Sequence, residues 1–314
     1  MKHFFYFLVL WMTIPAWGHA QFKVIGYLRS KRSLVNDVKT VDLKKITHLY
    51  IAFINPQPNG EFSSNTQLDT VVDIAHSHDV KVLMSCGGGD RHTFLDSLLG
   101  PAHRQRVVKN FLAFAAQHKL DGIDVDIEND DINENYEAFV TELGAGLHSK
   151  GKVMSAALSY ATRKKITQTA LNTYDFVTLM AYDKHAPWTP NDPGPHSPYE
   201  MAEEQISYWS RDRGLSKDKI VLGVPFYGYS FGPKGVFNVP FAEVLKIDPK
   251  ANYIDEVSLP DGSTIYYNGF KTIRKKTALA KKKACGIMIW QLLYDAPGTL
   301  SLLNQINEEV VKKQ

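Results

Sequence analysis

The chain has 314 residues, 44% hydrophobic and 22% charged, with a formal net charge of +3. That apolar share supports a large core, and the length suits one α/β barrel domain. So small a charge gives no electrostatic reason to expect nucleic acid or a membrane surface as partner.

The chain opens on a leader. Lys2 and His3 precede an apolar run over residues 4–17, and Gly18-His19-Ala20 offers small residues at both positions a signal peptidase reads. The run is too short for a membrane span, so residues 1–20 read as an export signal and 21–314 as a single domain. A periplasmic or extracellular location follows, and no later stretch is apolar enough to span a bilayer.

Eight short apolar runs rich in Val, Ile and aromatic residues come next, over 22–28, 46–54, 80–85, 122–127, 153–158, 176–181, 220–225 and 286–290. Helical spacing fills several intervals, at 66–76, 104–117, 134–147, 200–209 and 271–283. Strands that alternate with helices and are apolar throughout predict a parallel sheet buried on both faces, and eight such units predict a closed (β/α)8 TIM barrel. The longest interval between strands, 231–269, predicts a small insertion with a hairpin at Pro260-Asp261-Gly262. Residues 271–283, KTIRKKTALAKKK, read as the solvated face of an amphipathic helix. Trp209 sits at helical spacing and reads as core, and the histidines read as surface residues, except His48 beside the second strand.

Two cysteines in an exported chain invite a disulfide. Cys86 ends one strand, however, and Cys285 opens a strand that is not its neighbour. Opposite ends of a barrel lie beyond bridging distance, so two free, largely buried thiols are expected.

Chemistry in such barrels sits at the carboxyl ends of the strands. The polar residues there are Ser85-Cys86-Gly87-Gly88-Gly89, Asp124, Asp126, Glu128, Tyr182-Asp183, Tyr227-Gly228 and Gln291. The strongest signal is DGIDVDIE at 121–128. Side chains on a strand alternate faces, so Asp124, Asp126 and Glu128 share the inward face while Ile123, Val125 and Ile127 meet the helix layer. Ionised carboxylates buried together are costly, and like charges raise one another's pKa. The expected outcome is a shared proton, with Glu128 at the mouth kept protonated as a general acid needs to be. No His lies within the ladder and no metal-ligand spacing occurs, so neither metal nor cofactor is expected.

These residues resemble a known family. DGIDVDIE is similar to the DGxDxDxE signature of the family 18 glycoside hydrolases, which include chitinases and endo-β-N-acetylglucosaminidases. The resemblance continues through THLYIAFIN at 47–55, Ser85-Cys86-Gly87-Gly88, Met180-Ala181-Tyr182-Asp183, VLGVPFYGYSF at 221–231 and GIMIWQLLYD at 286–295. It implies hydrolysis in which the substrate's own acetamido oxygen is the nucleophile. On that footing Glu128 is acid and then base, Asp126 orients the acetamide, Asp124 pairs with Asp126, and Tyr182 steadies the acetamide oxygen. Asp183 and Met180 would contact the sugar, and Trp290 would form its floor. Tyr27 and Tyr227 would line the cleft, and Trp188 would stack on a sugar beyond the scissile bond. Gly87 and Gly88 would leave room beside the carboxylates.

Many family members carry an aromatic residue where this chain has Ile127, a change that affects packing alone. The insertion is short beside the α+β insertion of deep-cleft relatives, which implies a shallow cleft. The partner implied is an N-acetylglucosamine-containing oligo- or polysaccharide, bound by a monomer. Three activities fit the motifs: a chitinase, an endo-β-N-acetylglucosaminidase cutting the chitobiose core of N-glycans, and a non-catalytic sugar-binding protein.

Overall fold

The computed structural model describes residues 21–248 and 250–312. The expected export signal, residues 1–20, lies outside the described residues. Eight parallel strands close into a barrel: β1 (Lys23–Leu28), β2 (His48–Ala52), β3 (Lys81–Gly88), β4 (Gly122–Ile127), β5 (Val153–Ser159), β6 (Phe176–Met180), β7 (Ile220–Pro225) and, last in sequence, Gly286–Trp290, which pairs with both β1 and β7. Each of the eight runs read from the sequence is a barrel strand, with three of them matched to the residue. Helices Leu68–His76, Arg104–Gln117, Tyr136–His148, Tyr199–Ser207 and Phe270–Lys283 occupy the intervals predicted for them. No helix among the described residues is long and apolar enough to cross a membrane.

Strand alternation divides the apolar residues into two bodies. Ile123, Val125 and Ile127 of β4 join Val82, Met84 and Cys86 of β3 in the layer between sheet and helices. Ile25, Tyr27, Tyr50, Leu83, Phe176 and Met288 fill the barrel itself. Trp209 is fully buried, as its spacing predicts. Both thiols are free, Cys86 buried and Cys285 partly so. His48 is buried, but so are His118 and His196, against the expectation that the remaining histidines lie at the surface.

The insertion is larger than a lone hairpin and begins earlier, at Tyr227. It is a four-stranded antiparallel sheet of β8 (Tyr227–Gly232), β9 (Gly235–Pro240), β10 (Glu256–Ser258) and β11 (Thr264–Tyr266), with helix Phe241–Ile247 after β9. The hairpin expected at Pro260-Asp261-Gly262 joins β10 to β11. The final barrel strand, Gly286–Trp290, is β12.

Gly87 shows how tightly the strands meet. Its φ is +105°, and a Cβ there would lie 2.2 Å from the Asp126 carbonyl oxygen. Gly151, at φ +65°, has open space where a Cβ would go. Gly151→Ala is therefore expected to cost only the backbone penalty, about 1–2 kcal/mol. Gly87→Ala adds a clash with backbone and is expected to cost about 3 kcal/mol or more. Urea unfolding of the two variants compares them directly, and equal losses would contradict the close approach of β3 to β4.

Candidate active site

A cleft of about 740 Å³ opens at the carboxyl end of the barrel. Every barrel strand except β7 contributes lining residues from its end, and β8 supplies that side instead. The floor is set by register: Ser85, Asp124 and Ser155 are lateral partners on β3, β4 and β5, so they enter the barrel at one level. Tyr27 Oη and Ser85 Oγ donate to Asp124 Oδ2 at 2.6 and 2.7 Å, and Ser155 Oγ donates to Oδ1 at 2.7 Å. Ser155 commits its only hydroxyl proton there, so Tyr50 Oη, 2.8 Å away, donates to Ser155. Burial raises the pKa of Asp124, and these three donors oppose the rise.

Asp126, two residues on, is buried and lines the cleft, yet its Oδ1 has no hydrogen-bond partner among the described residues. Burial lifts its pKa well above the usual carboxylate range, and the charges of Glu128 and Asp124 lift it further. Glu128 stands just past the end of β4, where burial and then the charge of Asp183 push it up to about 7. Burial and neighbouring charge thus raise both carboxyls, so the tendency to hold a proton is not confined to Glu128.

The opposite wall comes from β6 and β8. Asp183 adopts φ 65°, a left-handed conformation that Asp tolerates better than most residues. Its Oδ1 accepts a hydrogen bond from the Tyr227 hydroxyl. His196, fully buried behind them, has Nε2 3.1 Å from the Tyr227 carbonyl, which only accepts, so Nε2 carries the hydrogen. Its Nδ1 lies 3.5 Å from Asp183 Oδ1, too long for a good hydrogen bond. Burial raises the pKa of Tyr182 and keeps its hydroxyl protonated, able to donate into the cleft.

Of the residues singled out from sequence, Asp126, Glu128, Met180, Tyr182, Asp183, Trp188, Tyr227 and Trp290 all line this cleft. Trp188 is 66% exposed, which excludes a core role. Four others do not line it, among them Asp124, which lies in the floor beneath. Tyr27 lies under the floor as a donor to Asp124. Gly87 and Gly88 do not line the cleft: the first abuts the backbone of β4, and a Cβ on the second would meet the Phe53 ring at 2.7 Å. The glycine beside the acid is Gly89, whose added Cβ would be 3.5 Å from Glu128 Oε1.

The sequence reading passed over Arg29, Phe53, Tyr160, Tyr229 and Asn129, which also line the cleft. The signal for most of them was present, since Arg29, Phe53 and Tyr160 directly follow β1, β2 and β5, and Tyr229 shares the face of Tyr227. Phe53 stacks on Trp290 with centroids 5.6 Å apart and planes at 23°, giving a flat aromatic surface beside the acids.

The sequence model of the glycosyl hydrolases family 18 matches residues 23–295. The chain belongs to family 18. Its structure superposes on the family 18 chitinase ChiB from the chitin utilization locus of Flavobacterium johnsoniae with a TM-score of 0.86, at 35% identity, over 92% of this chain and 94% of that one. A chitinase from Bacteroides thetaiotaomicron superposes with a TM-score of 0.80 at 27% identity, over 93% and 97% of the two chains. By sequence, the secreted chitinase LysM12 of Penicillium expansum is 26% identical over 67% of this chain and 16% of its own length. A chitinase-like effector of Moniliophthora perniciosa is 29% identical over 68% of this chain and 56% of its own length. The aligned region is thus a minor part of the first of these two relatives and little over half of the second.

Folding raises the affinity of Glu128 for its proton, from an ordinary pKa of 4.5 to about 7. Between those pH values the folded state holds a proton that the unfolded chain has lost, so stability falls as pH rises. Glu128→Gln removes that slope. Its stability is expected to gain on the parent by about 2–4 kcal/mol as pH rises from 4.5 to 7. Urea unfolding at several pH values measures the difference, and a constant offset would contradict the raised pKa.

Proposed function

We propose that this protein is an exported glycoside hydrolase that cleaves β-1,4-linked N-acetylglucosamine oligomers with retention of configuration. The observation that carries the reading is the unequal satisfaction of the acid ladder. The protein engages both oxygens of Asp124, leaves Asp126 Oδ1 buried without a donor, and holds Glu128 near a pKa of about 7 at the mouth. A buried acceptor without a donor is unfavourable until a ligand supplies one. The N–H of a substrate acetamide supplies that donor.

On this reading Asp126 holds the acetamide so that its carbonyl oxygen attacks the anomeric carbon, and it stabilises the positive charge that develops. Glu128 gives its proton to the leaving oxygen. It then removes a proton from water as that water opens the cyclic intermediate. The Tyr182 hydroxyl donates to the acetamide oxygen, Asp183 contacts the sugar, and the Trp290 indole lies under the ring. Asp124, held by three hydroxyl donors, raises the pKa of Asp126 by its charge. Trp188, exposed on the loop after β6, stacks on a sugar beyond the scissile bond.

The chitinases among the relatives support chito-oligosaccharides over the N-glycan core as substrate. The chitinase-like effector speaks for binding without turnover, and the complete ladder speaks against it. The leader at residues 1–20 supports export. Activity against chitotetraose and a high-mannose glycoprotein, measured side by side, separates the three readings.

Glu128→Gln keeps the shape of the side chain but removes the proton donor. Turnover is expected to fall by about 10²–10⁴-fold while oligosaccharide affinity survives. In the parent, kcat/KM is expected to decline as pH rises through about 7, because the acid must be protonated to act. Two displacements at one carbon restore configuration, so proton NMR of the earliest product should show the β-anomer. An initial α-anomer rules out the acetamide mechanism, and full activity in Glu128→Gln rules out the assigned acid.

A further inference from the structure

Lys276 contradicts the reading of 271–283 as a solvated basic face. It is fully buried within helix Phe270–Lys283. Its Nζ donates to Ser197 O at 2.6 Å, to Ser197 Oγ at 2.7 Å and to Asn268 Oδ1 at 2.7 Å. An ammonium has three N–H groups, and all three are used here on uncharged acceptors. Burial pulls its pKa down to about 7, against a weaker opposing pull from Asp255 and Glu200. An apolar side chain of similar volume would fill the same space without the desolvation cost. What distinguishes the lysine is therefore the set of groups it ties together.

Ser197 is the junction of that set. Its Oγ donates to the Ala181 carbonyl at 2.6 Å, and its own carbonyl also accepts from Asn268 Nδ2 at 3.0 Å. Ala181 directly precedes Tyr182 and Asp183. The loop is closed a second time where Lys184 N donates to His196 O at 2.9 Å. Both ends of the segment 181–198 thus converge on one buried serine, which is held from behind by Lys276. The segment carries Tyr182, Asp183 and Trp188 into the cleft, whereas Lys276 does not line it.

We propose that Lys276 is a positioning residue, which through Ser197 holds the base of loop 181–198 and so sets the placement of Tyr182 and Asp183. Its kinetic consequence rests on the hydrolytic reading above, but its structural consequence does not. Lys276→Met keeps the length of the side chain and loses every donor. Amide hydrogen exchange at 181–184 and 196–197 is expected to quicken by about tenfold or more in the full-length variant. The kcat/KM for chitotetraose is expected to fall by about tenfold or more through misplacement of the site.

Ser197→Ala breaks the link to Ala181 and is expected to quicken exchange at 181–184 as well, which keeps the test open if Lys276→Met does not fold. Because both residues act through one connection, the double variant should lose no more kcat/KM than the worse single variant. Unchanged exchange at 181–184 in either variant overturns the proposal, as do kinetic losses that multiply. If the parent itself leaves chitotetraose intact, the hydrolytic reading fails and the exchange rates alone decide the clamp.

Discussion

A carboxylate enclosed in a barrel of apolar and aromatic side chains needs donors, and Asp124 obtains its own from the adjacent strands β3 and β5 and from β1. Parallel register puts Ser85 and Ser155 beside it at the same height. Tyr27 and Tyr50 are themselves lateral partners on β1 and β2, and they reach across the interior from the far side. Oδ2 has two donors, but Oδ1 depends on Ser155 alone, so removing that hydroxyl would leave a buried acceptor unsatisfied, at about 1–3 kcal/mol. The same engagement limits what Asp124 offers to Asp126. With both of its oxygens occupied, it acts on Asp126 chiefly through charge, and Asp126 Oδ1 stays without a protein partner. The three acids of one strand thus become chemically different although their spacing is uniform: one satisfied inside, one unsatisfied at the floor, one titrating at the mouth.

The loops that frame this site are joined to one another laterally. Asn55, after β2, accepts from Gly87 N at 2.6 Å and donates to Gly87 O at 2.9 Å, which fixes the left-handed end of β3. Buried Asp131, in the loop after β4, accepts from Arg91 and from His92 N in the loop after β3. Lys165, in the connection after β5, donates to Asn129 O at 2.8 Å. The loop after β6 is held through its own Ser197 by Lys276 of helix Phe270–Lys283. The segments after β2 to β5 are thus each held by a neighbour as well as by their own strand ends. That is how a site built on loops keeps its geometry when the barrel beneath supplies only the starting points.

The barrel and the acid ladder were legible in the sequence for one reason. Both depend on local alternation, and period 2 along a strand is written directly in DGIDVDIE. Ile127 behaved accordingly, facing the helix layer and leaving the acids undisturbed. What escaped notice depends on contacts distant in sequence. Lys276 and Ser197 are 79 positions apart, and nothing in KTIRKKTALAKKK marks which lysine turns inward. The donors Tyr27 and Ser155 stand 97 and 31 positions from Asp124. Gly87 and Gly88 were recognised as necessary but assigned the wrong reason, since their room is taken by the backbone of β4 and the ring of Phe53. The residue that benefits at the cleft is the next one, Gly89.

The insertion shows the same rule from the other direction. Its first strand, β8, starts one residue beyond β7, and Phe226 N between them donates to Trp290 O at 2.8 Å. The barrel wall is therefore continued upward by an antiparallel sheet in place of a loop. Alternation along β8 then puts Tyr227 and Tyr229 on the cleft side. Gly228 faces the other way, where a Cβ would lie 2.3 Å from the Tyr266 carbonyl oxygen of β11. Any larger residue at 228 would push β11 away and tilt the strand that carries both tyrosines. The Tyr-Gly-Tyr pattern is thus a single constraint with two faces: the aromatic wall beside Asp183 keeps its place because residue 228, without a side chain, lets β11 pair closely with β8.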